Sequence, residues 1–89
     1  MTPGFILLVN PRNDGSDQIR AGYTVTKKIG GAVVRNRLKR RFRALARSLL
    51  PGNGIAGADH IFIGREPGLA RDFAALHADL ERALVKLAK

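Results

Sequence analysis

The chain has 89 residues, enough for one domain and too few for two. It has no cysteine, which excludes disulfides, thiolate zinc sites and cysteine nucleophiles together. Its formal net charge is +9 and its pI about 11.4, beyond the value of ~9 that flags a nucleic-acid partner, while an apolar share of 45% argues against disorder.

The first predicted element is the apolar run Phe5-Ile6-Leu7-Leu8-Val9, between Pro3-Gly4 and Asn10-Pro11. It reads as a strand covered on both faces. Residues 10–18, rich in Asn, Asp, Gly, Ser and Pro, read as a loop. Ile19, Ala21, Tyr23 and Val25 then alternate with Arg20, Gly22, Thr24 and Thr26, a strand with one apolar and one polar face. The nine-residue connection suits a hairpin of these two strands. After Gly30-Gly31 the pattern turns helical: Val34, Leu38, Phe42, Leu45 and Leu49 fall in one stripe, and Pro51-Gly52-Asn53-Gly54 is expected to end it. Such a helix, about 30 Å long, can lie along a nucleic-acid groove or strand. A third strand centres on Ile61-Phe62-Ile63 and ends at Gly64-Arg65. Pro67-Gly68 then opens a second helix with the stripe Leu69, Phe73, Leu76, Leu80, Leu84 and Leu87. Its other face (Arg71, Asp72, Asp79, Glu81, Arg82, Lys86) reads as solvated. The order strand, strand, helix, strand, helix predicts a single α+β domain over residues 1–89, a two-layer sandwich with helices packed on a small sheet.

The charge is concentrated. From Gln18 to Ala58 there are ten Lys or Arg and no acid, whereas residues 1–17 sum to −1 and residues 59–89 to zero. On a helical wheel Asn36, Arg40, Arg43 and Arg47 lie opposite the apolar stripe. Arg35 and Lys39 lie on one shoulder, and Arg37 and Arg41 nearer the stripe's other edge, where their stems can run along the core. An ordinary solvated helix face mixes signs, because like charges four apart cost a few tenths of a kcal/mol each. Here Arg35–Lys39, Lys39–Arg43, Arg43–Arg47 and Arg37–Arg41 contain no acid. A polyanion relieves that repulsion, and the excess of Arg over Lys suits bidentate phosphate contact and stacking on bases.

Nothing in the sequence composes a catalytic site. His60 and His77 stand seventeen apart without a triad partner and read as surface or partly buried residues. Asp59 and Asp72 do not make a metal-binding spacing, and Gly30-Gly31 before a helix is a weak phosphate signal. Three partners remain open on charge and periodicity: a structured RNA such as that of a ribosome, DNA in a major groove, or an anionic membrane. A DNA-reading helix-turn-helix needs a helix where strand-like sequence stands here. A membrane helix needs a free apolar stripe, and this one is committed to the core.

The run from Arg20 to Gly30, followed by Ala32-Val33-Val34-Arg35-Asn36-Arg37-Leu38-Lys39-Arg40-Arg41, resembles the signature of the bacterial ribonuclease P protein family, centred on Arg35-Asn36-Arg37. The resemblance extends more loosely from Phe5 to the C-terminus. It implies a left-handed βαβ crossover, where sequence physics alone predicts the right-handed one. It also implies a protein without a catalytic residue or metal of its own. Such a protein is the accessory subunit of an endoribonuclease whose RNA carries the active site and its Mg²⁺ and removes the 5′ leader of precursor tRNA in the cytoplasm. RNA contacts are then expected from Lys27, Lys28, Arg35, Asn36, Arg37, Lys39, Arg40, Arg43 and Arg47. Phe5 and Tyr23 are the aromatic candidates for a leader cleft on the sheet, Leu8 standing where some relatives have tyrosine. The family usually begins with a helix that this sequence lacks ahead of its first strand. Its absence predicts an uncovered sheet face, weaker leader binding and self-association through that face.

Overall fold

A computed structural model describes residues 2–88. Its strands are β1 (Phe5–Pro11), β2 (Arg20–Thr24) and β3 (Ala58–Gly64), and its helices are α1 (Ala32–Asn53) and α2 (Phe73–Leu87), with a 3-10 turn at Glu66–Leu69. The sheet order is β1-β3-β2, with β3 antiparallel to β1 and parallel to β2. The expected hairpin of β1 and β2 is therefore wrong. A nine-residue connection permits a hairpin, but β3 is the most buried strand and takes the central position, satisfying both neighbours at once. The parallel pairing of β2 with β3 is bridged by α1, as a parallel pair requires a long crossover.

The strand pleat sorts the sheet into two faces. Phe5, Leu7, His60, Phe62, Ala21 and Tyr23 share the face toward the helices, by register and alternation. Phe5, Phe42 and Phe62 are fully buried and mutually packed, with ring centroids 5.6–5.8 Å apart. Around them α1 supplies Leu38, Leu45 and Leu49, and α2 supplies Leu76, Leu80 and Leu84. Both helices thus share one core against one sheet face. The opposite face carries Ile6, Leu8, Ile61 and Ile63, of which Leu8 is 45% exposed. The expectation that β1 is covered on both faces fails here: five consecutive apolar residues mark a buried strand only when something packs on each side.

Helix boundaries differ from the sequence reading in two places. α1 runs through Pro51 to Asn53: the proline costs the helix a backbone bond, but its φ suits a helix and only Gly52 and Asn53 follow it before the end. The last turn still closes, with the Gly54 N–H donating to the Leu50 carbonyl at 2.9 Å. α2 begins at Phe73 and not at Pro67-Gly68, which lie in the 3-10 turn. Gly68 is needed there: a Cβ on it would sit 2.6 Å from the Gly4 carbonyl oxygen, where the turn crosses the start of β1. Leu76, Leu80 and Leu84 form the buried stripe, while Phe73 and Leu87 are exposed.

Two polar residues expected at or near the surface are buried. Asp79 is 3% exposed and accepts from Arg71 Nε at 2.7 Å and Arg82 at 2.7 Å. Its place beside Leu80 and three after Leu76 puts it on the edge of the stripe. His60 is fully buried, with Nε2 accepting from the Ile55 N–H at 3.0 Å and Nδ1 donating to the Arg20 carbonyl at 3.2 Å. That pairing fixes the Nδ1–H tautomer and ties β2 to the turn before β3. Arg12 braces the same end of the sheet through Asp59 at 2.9 Å and Asp14 at 3.1 Å. The Ser16 N–H and Arg12 together hold the Asp14 carboxyl below the usual carboxylate range.

Candidate nucleic-acid interface

The apolar stripe that seats α1 on the sheet determines what its other side presents. Leu38, Phe42, Leu45, Ala46, Leu49 and Leu50 are buried, and Asn36, Arg37, Arg40, Arg43 and Arg47 are exposed. Arg35 and Lys39 are half-buried, as shoulder positions should be. Arg37 is freer than its wheel position near the stripe suggests: it is exposed rather than half-buried. Arg41 is different. Its side chain bonds the Arg71 carbonyl and lies 5.8 Å from the Phe73 ring centroid, joining α1 to the approach of α2. Its Nε is buried without a partner. Arg41 is thus a brace between helices, and the neighbouring arginines are the free ones.

Ahead of α1, a turn closed by the Ile29 N–H on the Thr26 carbonyl leaves Lys27 and Lys28 exposed. α1 itself opens with no side-chain cap and no acid in its first turn, so its own first turn leaves the positive end of its dipole without an offsetting charge. Among the described residues every ion pair lies elsewhere, at Asp14, Asp59 and Asp79. The α1 cations therefore have no carboxylate partner among the described residues, and nothing there relieves their mutual repulsion. A shallow trough of about 500 Å³ between Val33, Asn36, Arg40 and Arg43 follows this ridge.

The two aromatic leader candidates are not on the open face. Phe5 is in the core with no exposure. Tyr23 is half-buried on the helix-facing side, stacked on Phe62 at 5.6 Å with the Arg43 guanidinium 5.7 Å from its ring centroid. Both follow Phe62 in the pleat, whereas Leu8 pairs with Ile61 on the other face. The parity was readable from the alternation of β2, but not which face the helices would cover.

The described residues offer no cluster of three His, Asp or Glu that suits a metal. Asp59 is shared by Arg12 and Arg20, and Asp79 by Arg71 and Arg82, so these carboxylates are engaged by guanidiniums and do not fit a resident Mg²⁺. No described helix is long and apolar enough to cross a membrane.

Fold and site together define a small α+β domain that holds a cationic helix against a three-stranded sheet and turns its acid-free face outward. The profile of the family described as Ribonuclease P matches residues 1–88. Curated relatives named ribonuclease P protein component include one from Erythrobacter litoralis, 61% identical over 82 residues, and one from Gluconacetobacter diazotrophicus, 47% identical over 85. These alignments cover 92% and 96% of this chain but 66% and 72% of the relatives, so the chain spans about two thirds of their length. Among solved structures, the RNase P protein of Thermotoga maritima is 31% identical with a TM-score of 0.78, over 94% of this chain and 77% of that one. The Staphylococcus aureus RNase P protein matches with a TM-score of 0.76 and 28% identity, over 100% and 78%. The chain belongs to the family of ribonuclease P protein components.

Proposed function

We propose that this chain serves as the protein subunit of a bacterial ribonuclease P, binding the catalytic RNA and the 5′ leader of precursor tRNA in the cytoplasm. The RNA performs the cleavage with its own Mg²⁺, and the protein contributes binding and charge. The observation that carries this reading is the acid-free face of α1 in a member of this family, with Arg37, Arg40, Arg43 and Arg47 exposed and without a carboxylate partner among the described residues. Lys27, Lys28, Arg35, Asn36 and Lys39 extend that face toward the turn before the helix.

The leader falls to the open sheet face, where Ile6, Leu8, Ile61 and Ile63 offer an apolar floor for unpaired bases. Phe5 and Tyr23 are replaced in that role. The same floor is an adhesive surface in the free protein and favours self-association. The test is reconstitution: the chain is added to a bacterial ribonuclease P RNA with precursor tRNA at low Mg²⁺. Faster leader removal is expected. Unchanged cleavage refutes the proposal.

A further inference from the structure

A second groove, about 480 Å³ in volume, runs between β2 and the later half of α1. It arises from two small residues. Ala21 sits on the helix-facing side of β2, and Ala46 faces it from α1, so the layers meet there without filling the space. Ala21 is consequently exposed although it lies on the core-facing side of its strand. β2 is an edge strand, so the groove opens sideways to solvent. Leu50 and Pro51 line the α1 side of its apolar wall. Tyr23, Arg43 and Arg47 complete it.

The chemistry of this lining is specific. The groove is apolar below and cationic at its rim, and neither Arg43 nor Arg47 has a carboxylate partner among the described residues. Arg43 already lies over the Tyr23 ring, offering a planar guanidinium parallel in use to an aromatic surface. Burial pushes the Tyr23 phenol up, against the pull of Arg43 and Arg47, and like any phenol it is a proton donor at neutral pH. That hydroxyl makes no hydrogen bond among the described residues. Arg43 also lines the trough with Asn36 and Arg40, so the cationic ridge leads directly into the groove.

We infer that this groove takes one unpaired nucleobase of the RNA that lies along α1, with the base beside Tyr23 and Arg43 and a flanking phosphate on Arg47. The inference rests on the reading of α1 as an RNA-binding helix and adds a base-holding slot at its end. The volume is within the roughly 300–1,000 Å³ of small-ligand sites, and a base needs the flat, apolar and cationic surroundings found here. An acidic peptide would use the arginines but leave the apolar floor without a flat partner.

Tyr23 is the chain's one tyrosine, and there is no tryptophan, so intrinsic fluorescence reports this groove alone. The experiment titrates the full chain with a short adenylate oligomer and with an oligomer of equal length and charge whose central nucleotides lack their bases. The expected result is quenching of Tyr23 by the first, with affinity about tenfold above the abasic oligomer, the size expected for one stacked base. Ala21→Ile fills the groove without changing charge and should bring the two affinities together. Equal affinities for the two oligomers with the unaltered chain overturn the groove while leaving the cationic ridge intact. Silence toward both overturns the ridge as well. If the Ile variant folds, as circular dichroism will show, and still prefers the base-bearing oligomer, the slot lies elsewhere.

Discussion

Exposed and tethered arginines on one helix should differ in how they respond to salt. Arg37 and Arg40 are exposed on α1, three residues apart, so about 4.5 Å separates them along the axis. Arg43 and Arg47 continue the row at about 4.5 and 6 Å. If these four and Lys39 each meet one phosphate, the slope of log K against log salt is roughly −3.5 for single-stranded contacts and −4.5 for duplex contacts. Arg40→Ala should make the slope shallower by roughly 0.7 to 0.9 and weaken binding to every RNA sequence alike. Arg41→Ala, one position further, should leave the slope unchanged. Its guanidinium is spent on the Arg71 carbonyl, so its loss appears in stability instead. The assay is fluorescence anisotropy with a labelled ribonuclease P RNA over several potassium chloride concentrations. Equal changes in slope for the two variants would refute the division of α1 into a free row and a brace.

Other substitutions test the packing that holds this row in place. Asp79→Ala leaves Arg71 and Arg82 without their shared acceptor, and since both reach solvent the expected loss is about 2 kcal/mol, read as a lower urea midpoint at constant m. His60→Leu strands the Ile55 N–H and should cost about 1–3 kcal/mol by the same measurement; no loss would mean the bond is not formed. Leu8→Lys places a charge on the open sheet face and should shift sedimentation at high concentration toward monomer, while a clean monomer before substitution would contradict the adhesive face.

The apolar stripe of α1 was legible because Leu38, Phe42, Leu45 and Leu49 repeat at helical spacing, and the same spacing put Asn36, Arg40, Arg43 and Arg47 outside. Strand order was not legible. Alternation in β2 states which residues share a face but carries no information about its neighbour, and the central place of β3 depends on the length of α1 bridging the parallel pair. Asp79 was misread for a related reason. A carboxylate looks solvated in one dimension, and only folding brings Arg71 from eight residues away to neutralise it. Phe5 and Tyr23 came out on the helix-facing side of the sheet: a pleat has two faces, and composition does not say which one the helices choose. The groove beside Ala21 left only a faint trace, a small residue in a strand position that otherwise alternates with larger apolar ones.

The central position of β3 also governs how the chain can fold. β1 and β2 have no partner until residues 58–64 exist, so neither edge of the sheet can form early and no local hairpin can nucleate it. The loop that must close is α1 itself, a segment whose like charges oppose its own compaction. A polyanion lying along that segment would remove the opposition and ease the closure that joins β2 to β3.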